Sequence, residues 1–459
     1  RLGSLLPARG RPLPVCRAEV GAVGRGNDLR TVRTALIVAG VLAVSATAGV
    51  AAMPVHARLV ASTPAAGDTL RALPTEMRLL FSEPVEAGLI RIRVVAQDGS
   101  AIDLAPRPDP GDVRTVLADF PSIGAGGYRV IWRVVSADGH PIQGDFVFFV
   151  AEVEPLRPEP AHPEPVRLEV PPPASIETGW RPSPLLNAAV EALALGALLA
   201  LAGILLHLPP AGREIPRVAR ALALAAPLLL AVHGGLWALA LSPEGSLSAA
   251  LADALGTTAG RVELARLGLA GLAAWALVLA RRPRLAVGLA FAAVLAGGAL
   301  GHALARSPGW SIPAKAIHLA AAAVWLGGLL RLATIDATSD LFPATARRVS
   351  GAALVSVIVI GATGVLQAAL ILPTLTDLVS SDYGRFVLAK AAGLATLIGM
   401  GAYHRRRLMP RLDAGSGEAL RRSVRREIVM FAVVLLIAAR LAYVPPPETV
   451  LALILEGAR

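Results

Sequence analysis

The chain has 459 residues, of which 54% are hydrophobic and 17% charged, and its mean hydropathy is +0.60. These values exclude an ordinary soluble protein of this length, so most of the chain is expected to lie in lipid. The net charge of +11 would suit a nucleic-acid partner, but such a surface interleaves basic with aromatic residues and only 4% of this chain is aromatic, so no nucleic-acid partner is expected.

The first part of the chain predicts a leader and an export signal. Residues 1–28 are basic and irregular, and two arginines then precede an apolar run at 35–52, which is the order found in a secretory signal. We place the signal at 29–55, so that cleavage leaves His56 at the N-terminus. Cleavage at a neighbouring position, or retention of the run as an anchor, stays open. The single cysteine, Cys16, precedes this point, so a metal in the mature protein must be held by His, carboxylate, Met or backbone groups.

Residues 56–152 alternate short apolar runs with turn sequences. Runs at 77–81, 89–95, 128–135 and 146–150 are separated by segments rich in Pro, Gly and Asp. This alternation is typical of strands, and about a hundred residues suffice for one core, so we predict an all-β sandwich of the Ig-like, Greek-key type. Residues 153–182 then include eight prolines between 155 and 173, which predicts a semi-extended linker.

Eight apolar stretches follow, and each is long enough to cross a hydrocarbon core of about 30 Å as a helix. They predict an all-α polytopic membrane bundle over 183–445, followed by a short extracytoplasmic tail at 446–459. The stretches lie at 184–207, 217–241, 261–281, 285–305, 313–333, 347–372, 385–408 and 427–444.

The arginines of the loops predict an orientation. Alternate loops are basic, and the richest lies between the last two stretches, whereas the loops at 242–260 and 373–384 have no Lys or Arg. Because basic loops stay in the cytoplasm, the first stretch begins outside. We therefore predict a multi-pass membrane protein, with the bilayer as a partner and the β domain on the outer side.

Three residues of the β domain are candidate metal ligands. A freed N-terminal His56 would chelate through its amine and its ring, and Asp138 and His140, two apart on an extended segment, would project to the same side. Nitrogen and oxygen donors of this kind suit Cu(II). Glu83 is a candidate for orienting a ligating ring as a second-shell partner. The alternative is that the segment around Gly139 is only a turn and His56 only a remnant of the signal.

Four ionisable residues in the outer half of the bundle are candidates for a metal pathway. Such residues are costly in a membrane and by default mark pathways. They are Glu191, His233, His302 and His318. For the three histidines, structural hydrogen bonding is the alternative.

Other polar groups of the bundle receive simpler interpretations. Glu263 and Arg266, one helical turn apart, are expected to form a local ion pair. His404 lies at an inner helix end, where exposure to the cytosol is the simpler expectation. Met430 is deep enough to pass Cu(I) onward, although packing is the alternative.

Three segments of the β domain resemble the periplasmic copper-binding CopC family, in the family's order: HARLVASTPAAGDTL from 56, MRLLFSEPVE from 77 and YRVIWRVVSADGHPIQGDFVFFV from 128. The resemblance implies a Cu(II) site made by His56, Asp138 and His140. Some relatives add a Met-rich Cu(I) site, but this domain contains only Met77, so such a site is not expected here.

The later apolar stretches are similar to the CopD family of copper-resistance membrane proteins. The similarity is carried by IHLAAAAVWLGGLLRL from 317, ATGVLQAALIL from 362, YGRFVLAKAAGLATLIGMGAYHRRRLMPRL from 383 and LRRSVRREIVMFAVVLL from 420. It departs at His404, where relatives usually carry Asn, and at Arg440. The resemblance implies a multi-pass protein of the bacterial inner (plasma) membrane that moves copper across it, with the β domain facing the periplasm. Cu(I) is our own expectation for the bundle.

Transport is therefore expected rather than catalysis. No G-x-x-x-x-G-K-[ST] loop is present, so passage must be passive or coupled to an ion. The alternatives are haem-b electron transfer by histidines on separate helices, an oxidative copper enzyme, and a chaperone that supplies a membrane oxidase. The expected partners are copper ions, with a periplasmic copper chaperone or cuproenzyme as donor or recipient.

Overall fold

The computed structural model describes residues 58–136, 139, 141–151, 182–208, 215–241, 246–301, 308–372, 374–414, 417–444 and 447. The predicted leader and signal, the linker and most of the C-terminal tail lie outside these ranges. Three of the candidate ligands, His56, Asp138 and His140, and the pathway candidate His302 also lie outside them.

The N-terminal part is a β domain of two sheets. One sheet has the order β1-β3-β7-β6 and the other β2-β9-β8-β4-β5. The strands are β1 Leu59–Thr63, β2 Thr69–Leu70, β3 Glu76–Phe81, β4 Arg91–Ala96, β5 Ala101–Leu104, β6 Pro106–Asp109, β7 Asp112–Asp119, β8 Gly126–Val135 and β9 Pro141–Val150. The Ig-like connection pattern stays a prediction.

The two sheets bury one shared apolar core. Alternate residues of each strand point inward, as the period of two requires, so that Leu79 and Phe81 from one sheet meet Val130 and Trp132 from the other. The rings of Phe81 and Trp132 pack edge to face with their centroids 5.2 Å apart. Met77 is fully buried in this core. The predicted two-layer packing is therefore present, and Met77 serves it as a core residue.

The C-terminal part is helical. Its helices begin with recognisable caps: Ser183 accepts a hydrogen bond from the Leu186 N–H ahead of α1, and Thr257 accepts one from Gly260 ahead of α4. The helices are α1 Pro184–Leu206, α2 Arg217–Leu241, α3 Leu247–Gly256, α4 Thr258–Val278, α5 Pro283–Ala296, α6 Pro308–Thr334, α7 Leu341–Ile371, α8 Asp377–Ser380, α9 Asp382–Tyr403 and α10 Gly417–Ala442.

Within the described ranges, five helical segments are long and apolar enough to cross a membrane. They are Pro184–Leu206, Arg217–Leu241, Gly309–Thr334, Leu341–Ile371 and Asp382–Leu412. The other three predicted spans correspond to α4, α5 and α10. α5 has only 14 residues, and α4 and α10 each carry several charged side chains. The predicted count of eight spans stays a prediction, whereas a multi-pass arrangement is supported by the five.

The helices α1 and α6 approach each other at backbone distance. A Cβ atom added at Gly327 of α6 would lie 1.9 Å from the carbonyl carbon of Gly203 in α1, and one at Gly203 would lie 1.8 Å from the carbonyl oxygen of Ala323. Small residues allow such close packing in membranes, where van der Waals contact drives helix association. This crossing lies at the centre of the helical core.

Candidate functional site

The segments next to the predicted metal ligands converge at one end of the β domain. The Arg58 N–H donates to Ser82 Oγ at 2.9 Å, and the Ser82 N–H donates to the Arg58 carbonyl at 2.8 Å. Val85 forms an isolated β-bridge with Ser136. Arg58 is two residues after His56, and Ser136 two residues before Asp138. Backbone pairing therefore brings both flanks to the same end of the domain.

Glu83 lies at this same end. It sits between Ser82, which pairs with Arg58, and Val85, which pairs with Ser136, and its side chain is half-buried. Its predicted role of orienting a ligating ring stays a prediction, because both candidate rings lie outside the described residues.

Gly139, between Asp138 and His140 in the sequence, touches the helical part. The Trp237 Nε1–H of α2 donates to the Gly139 carbonyl at 2.9 Å. Gly139 has φ +91°, a conformation that glycine adopts without a Cβ penalty. An added Cβ would lie 3.0 Å from the Cβ of Ala259. Gly139 therefore lies against α2 and the start of α4.

Further contacts hold the β domain on the helices. The Thr258 N–H at the start of α4 donates to Glu86 Oε1 at 2.9 Å, which places a carboxylate at the positive end of the helix dipole. Arg133 donates to the carbonyl oxygens of Ala240, at 3.2 Å, and of Leu241 at the end of α2. An apolar cluster completes this interface, made of Leu89, Val135, Ala238, Leu241, Ala250 and Ala254.

A polar cluster lies one helical turn below this interface and is made of His233, Glu263, Arg266, Glu191 and Lys315. We call it the outer cluster because it lies at the end of the bundle that carries the β domain. His233 precedes Trp237 by four residues, so both lie on one face of α2. The His233 ring is buried, and its Nδ1 lies 3.9 Å from Glu263 Oε1 of α4. Arg266 donates to the same Glu263 oxygen at 2.8 Å. The predicted Glu263–Arg266 ion pair is therefore present, and it also contacts His233.

Two more helices contribute to the outer cluster. Glu191 of α1 hydrogen-bonds with Tyr443, just after α10, and interacts electrostatically with His233, Glu263 and Lys315. Lys315 of α6 donates to the Leu300 carbonyl at 2.7 Å. The structure thus brings together two of the four pathway candidates, Glu191 and His233.

His318 contacts a different helix, α7. Its ring is buried, and Nδ1 lies 2.9 Å from Thr363 Oγ1 of α7. The Thr363 hydroxyl donates in turn to the Val359 carbonyl at 2.6 Å. His318 is therefore held by a hydrogen bond to α7, and its predicted pairing with His302 involves a residue outside the described ranges.

At the opposite end of the bundle, His404 is buried, which differs from the sequence-based expectation. It was expected to be exposed, but only 8% of it is accessible. Its Nε2 lies 2.7 Å from Ser423 Oγ and its Nδ1 lies 3.2 Å from Glu427 Oε2, both on α10. Trp325 Nε1–H of α6 donates to Glu427 Oε1 at 3.0 Å. Exposure was the wrong expectation because α10 packs over the end of α9.

The described part of the chain contains no group of three or more His, Cys, Asp or Glu side chains arranged around a metal. The described helices contain two His–Glu pairs. His233 pairs with the half-buried Glu263, and His404 pairs with the buried Glu427. Each includes a carboxylate oxygen, Glu263 Oε2 or Glu427 Oε2, that receives no hydrogen bond in the described part. Sequence reasoning missed both pairings, because each joins side chains of two different helices.

Two known domain families match separate parts of the chain. Residues 59–151 match the CopC domain, and residues 343–441 match copper resistance protein D, the CopD family.

Several characterised proteins resemble the β domain. Protein YobA of Escherichia coli (strain K12) is 35% identical over 99 residues, which are 21% of this chain and 78% of YobA. Copper resistance protein C of Pseudomonas syringae pv. tomato is 35% identical over 102 residues, 21% of this chain and 80% of its own. Copper transport protein CutJ of Bacillus subtilis (strain 168) is 31% identical over 102 residues, 22% of this chain, and the match spans only 19% of CutJ.

Two solved structures also match this region. CopC from Methylosinus trichosporium OB3b is 30% identical and covers 22% of this chain and 100% of its own, with a TM-score of 0.21. PcoC, a methionine-rich copper resistance protein from Escherichia coli, is 30% identical and covers 21% of this chain and 100% of its own, with a TM-score of 0.19.

Proposed function

The chain belongs to the CopC/CopD copper-resistance family, with both domains in one polypeptide, and from that premise we propose that it captures Cu(II) outside the inner membrane and imports copper through its helices. The β domain would face the periplasm. The arginine-rich segments at 405–407 and 421–426 would then face the cytoplasm, as the positive-inside rule requires.

Capture would use His56, Asp138 and His140. Their donors are hard nitrogen and oxygen atoms, which suit Cu(II). The convergence of Arg58, Ser82 and Ser136 at one end of the β domain supports a shared site, because it brings the flanks of all three ligands together. The burial of Met77 in the core supports a site without a thioether ligand.

Transfer would follow the contact between the two domains, and the hydrogen bond from Trp237 to Gly139 is the observation that carries this proposal. It joins Gly139, which stands between two of the ligands in the sequence, to α2, on which His233 lies one turn deeper. An imidazole and a carboxylate in the outer cluster offer the next donors. Copper would reach them by a short step and would not need to diffuse through the periplasm.

Passage would be that of a transporter, not of an enzyme. The helices would carry copper as Cu(I), so a one-electron reductant outside this chain would have to reduce the Cu(II) held by the β domain before transfer. The buried thioether of Met430 suits the softer ion. A periplasmic chaperone or a cuproenzyme would be the partner that supplies or receives the metal.

The capture step is tested on the β domain with Cu(II) added. His56→Ala and Asp138→Ala are each expected to abolish the electron paramagnetic resonance signal of bound Cu(II), because each removes a ligand. Asp145→Ala, which removes an exposed partner of Arg129, is a matched control and should leave the spectrum unchanged. Wild-type spectra from both ligand variants would refute the assignment.

A further inference from the structure

We propose that His404 and Glu427 form a second copper site at the inner end of the bundle, from which the ion leaves for the cytoplasm. This inference rests on the proposed function, because the His404–Glu427 site would be the last copper site on the proposed transport route. It is independent of the outer residues, since it concerns different helices and a different end of the bundle.

The pair has the geometry of two ligands of one ion. His404 Nδ1 and Glu427 Oε2 are 3.2 Å apart. Two donors bound at about 2.0–2.2 Å to one tetrahedral metal are roughly 3.3–3.5 Å apart. A small adjustment of either side chain would therefore place both atoms at bonding distance from an ion.

The remaining atoms of both side chains are held by neighbours. Glu427 Oε1 accepts from Trp325 Nε1, and His404 Nε2 lies 2.7 Å from Ser423 Oγ. A hydrogen bond to the far nitrogen or oxygen is how proteins orient metal ligands. The supporting groups come from α6 and α10, so they fix the pair across two helices.

Glu427 is buried with an unsatisfied oxygen. Only 2% of the residue is exposed, and Oε2 receives no hydrogen bond from the described part of the chain. A buried carboxylate is costly unless it is paired or coordinates a metal. Oε2 faces the His404 ring at 3.2 Å, and a cation held between the two would neutralise the buried carboxylate charge.

The pair opens onto a cavity of about 230 Å³ that is lined by α6, α7, α9 and α10. Met409 lines the same cavity and offers a soft sulfur donor. The exposed Arg405 and Arg406 also line it, so the cavity reaches the arginine-rich end of the bundle that would face the cytoplasm. His404 also begins a π-helical turn, His404–Leu408, and such turns are frequent at functional sites. The Met409 thioether is the donor that favours Cu(I), and imidazole binds copper in either oxidation state.

The test counts Cu(I) ions bound to the full-length protein in detergent, by competition with a coloured Cu(I) chelator under reducing conditions. Glu427→Gln and His404→Asn are expected to bind one Cu(I) fewer per chain than the wild type. Trp325→Phe keeps both donors but loses the hydrogen bond that orients Glu427, so it should keep the number and weaken the affinity several-fold. Gel filtration and thermal unfolding check that each variant is folded.

His207→Asn is the matched control. His207 lies at the same end of the bundle, but its Nε2 bonds with the Val324 carbonyl and no carboxylate. It should bind as many Cu(I) ions as the wild type. Equal numbers in the wild type, Glu427→Gln and His404→Asn would overturn the inner site.

The same variants are also measured for copper accumulation in cells. Glu427→Gln should reduce it at least tenfold while Cu(II) capture by the β domain stays unchanged. If wild-type cells gain no copper, the proposed function fails and the Cu(I) count still decides the inner site. If wild-type cells gain copper and Glu427→Gln cells gain as much, only the inner site fails.

Discussion

At the residue scale, Trp237 makes one of the hydrogen bonds that join the two domains. Trp237→Phe keeps the ring packing but loses the hydrogen bond to the Gly139 carbonyl, worth about 0.5–1.5 kcal/mol. Since about 1.4 kcal/mol corresponds to a factor of ten, copper accumulation in cells should fall several-fold while Cu(II) affinity of the β domain stays the same. Trp275→Phe, at a ring that is 50% exposed, is the control. Loss of accumulation in both variants would contradict a role specific to Trp237.

Gly139 provides a second test at this scale. In Gly139→Ala the new methyl group would meet Ala259 Cβ at 3.0 Å, so the β domain should separate from the helices. Gly99→Ala has a similar positive φ of +85° but open space around the new methyl, so it shares only the conformational cost of about 1–2 kcal/mol.

The expected readout is hydrogen exchange at the Thr258 amide, which donates to Glu86 in the docked arrangement. Exchange should become faster in Gly139→Ala and not in Gly99→Ala. Equal exchange in the two variants would mean that this contact does not hold the domains together.

Individual side chains show what a single sequence leaves undetermined. The Glu263–Arg266 pair was predictable because a separation of three residues places both on one helix face. The partner of His404 was not, because Glu427 lies 23 positions away on another helix and its burial depends on how α9 and α10 pack. The spacing of residues within one helix does not show which residues of another helix they will contact.

At the scale of elements, the pattern of apolar residues was informative. The predicted runs at 77–81 and 128–135 correspond to Glu76–Phe81 and Gly126–Val135. The helix predicted over 285–305 instead ends at Ala296, where Gly297 and Gly298 begin a short 3₁₀ turn. A Cβ at Gly298 would lie 2.8 Å from the Ile312 carbonyl of α6, so the chain changes course to pass close to that helix. Hydropathy alone does not predict this close approach of Gly298 to α6.

The crossing of α1 and α6 gives a prediction at this scale. Gly327→Ala places a methyl group 1.9 Å from the backbone of Gly203, so the helices must move apart, at a cost of at least about 1–3 kcal/mol. The unfolding temperature in detergent should fall clearly. Gly271→Ala on α4, where nothing lies within 4 Å, should leave it unchanged or raise it, since alanine favours helix. A Gly327→Ala protein as stable as the wild type would mean that this contact is loose.

At the scale of the whole molecule, the two domains were predictable as separate units but not as a docked pair. Composition separates the strands from the helices, and the Pro-rich segment at 153–182 marks the division. The docking uses Arg133, Glu86 and the end of α2, none of which carries a sequence pattern that indicates an interface. Docking places the β domain above the outer cluster, which is the arrangement that the proposed copper route requires.

The most direct test of that route is the copper content of cells that produce the protein, measured by mass spectrometry at matched expression. The wild type should raise cell copper above that of cells with an empty vector. His233→Asn and Glu263→Gln should bring it back to the empty-vector value, because each removes a donor of the outer cluster that receives copper. Wild-type cells with no more copper than the vector control, or variants that accumulate as much as the wild type, would contradict the account.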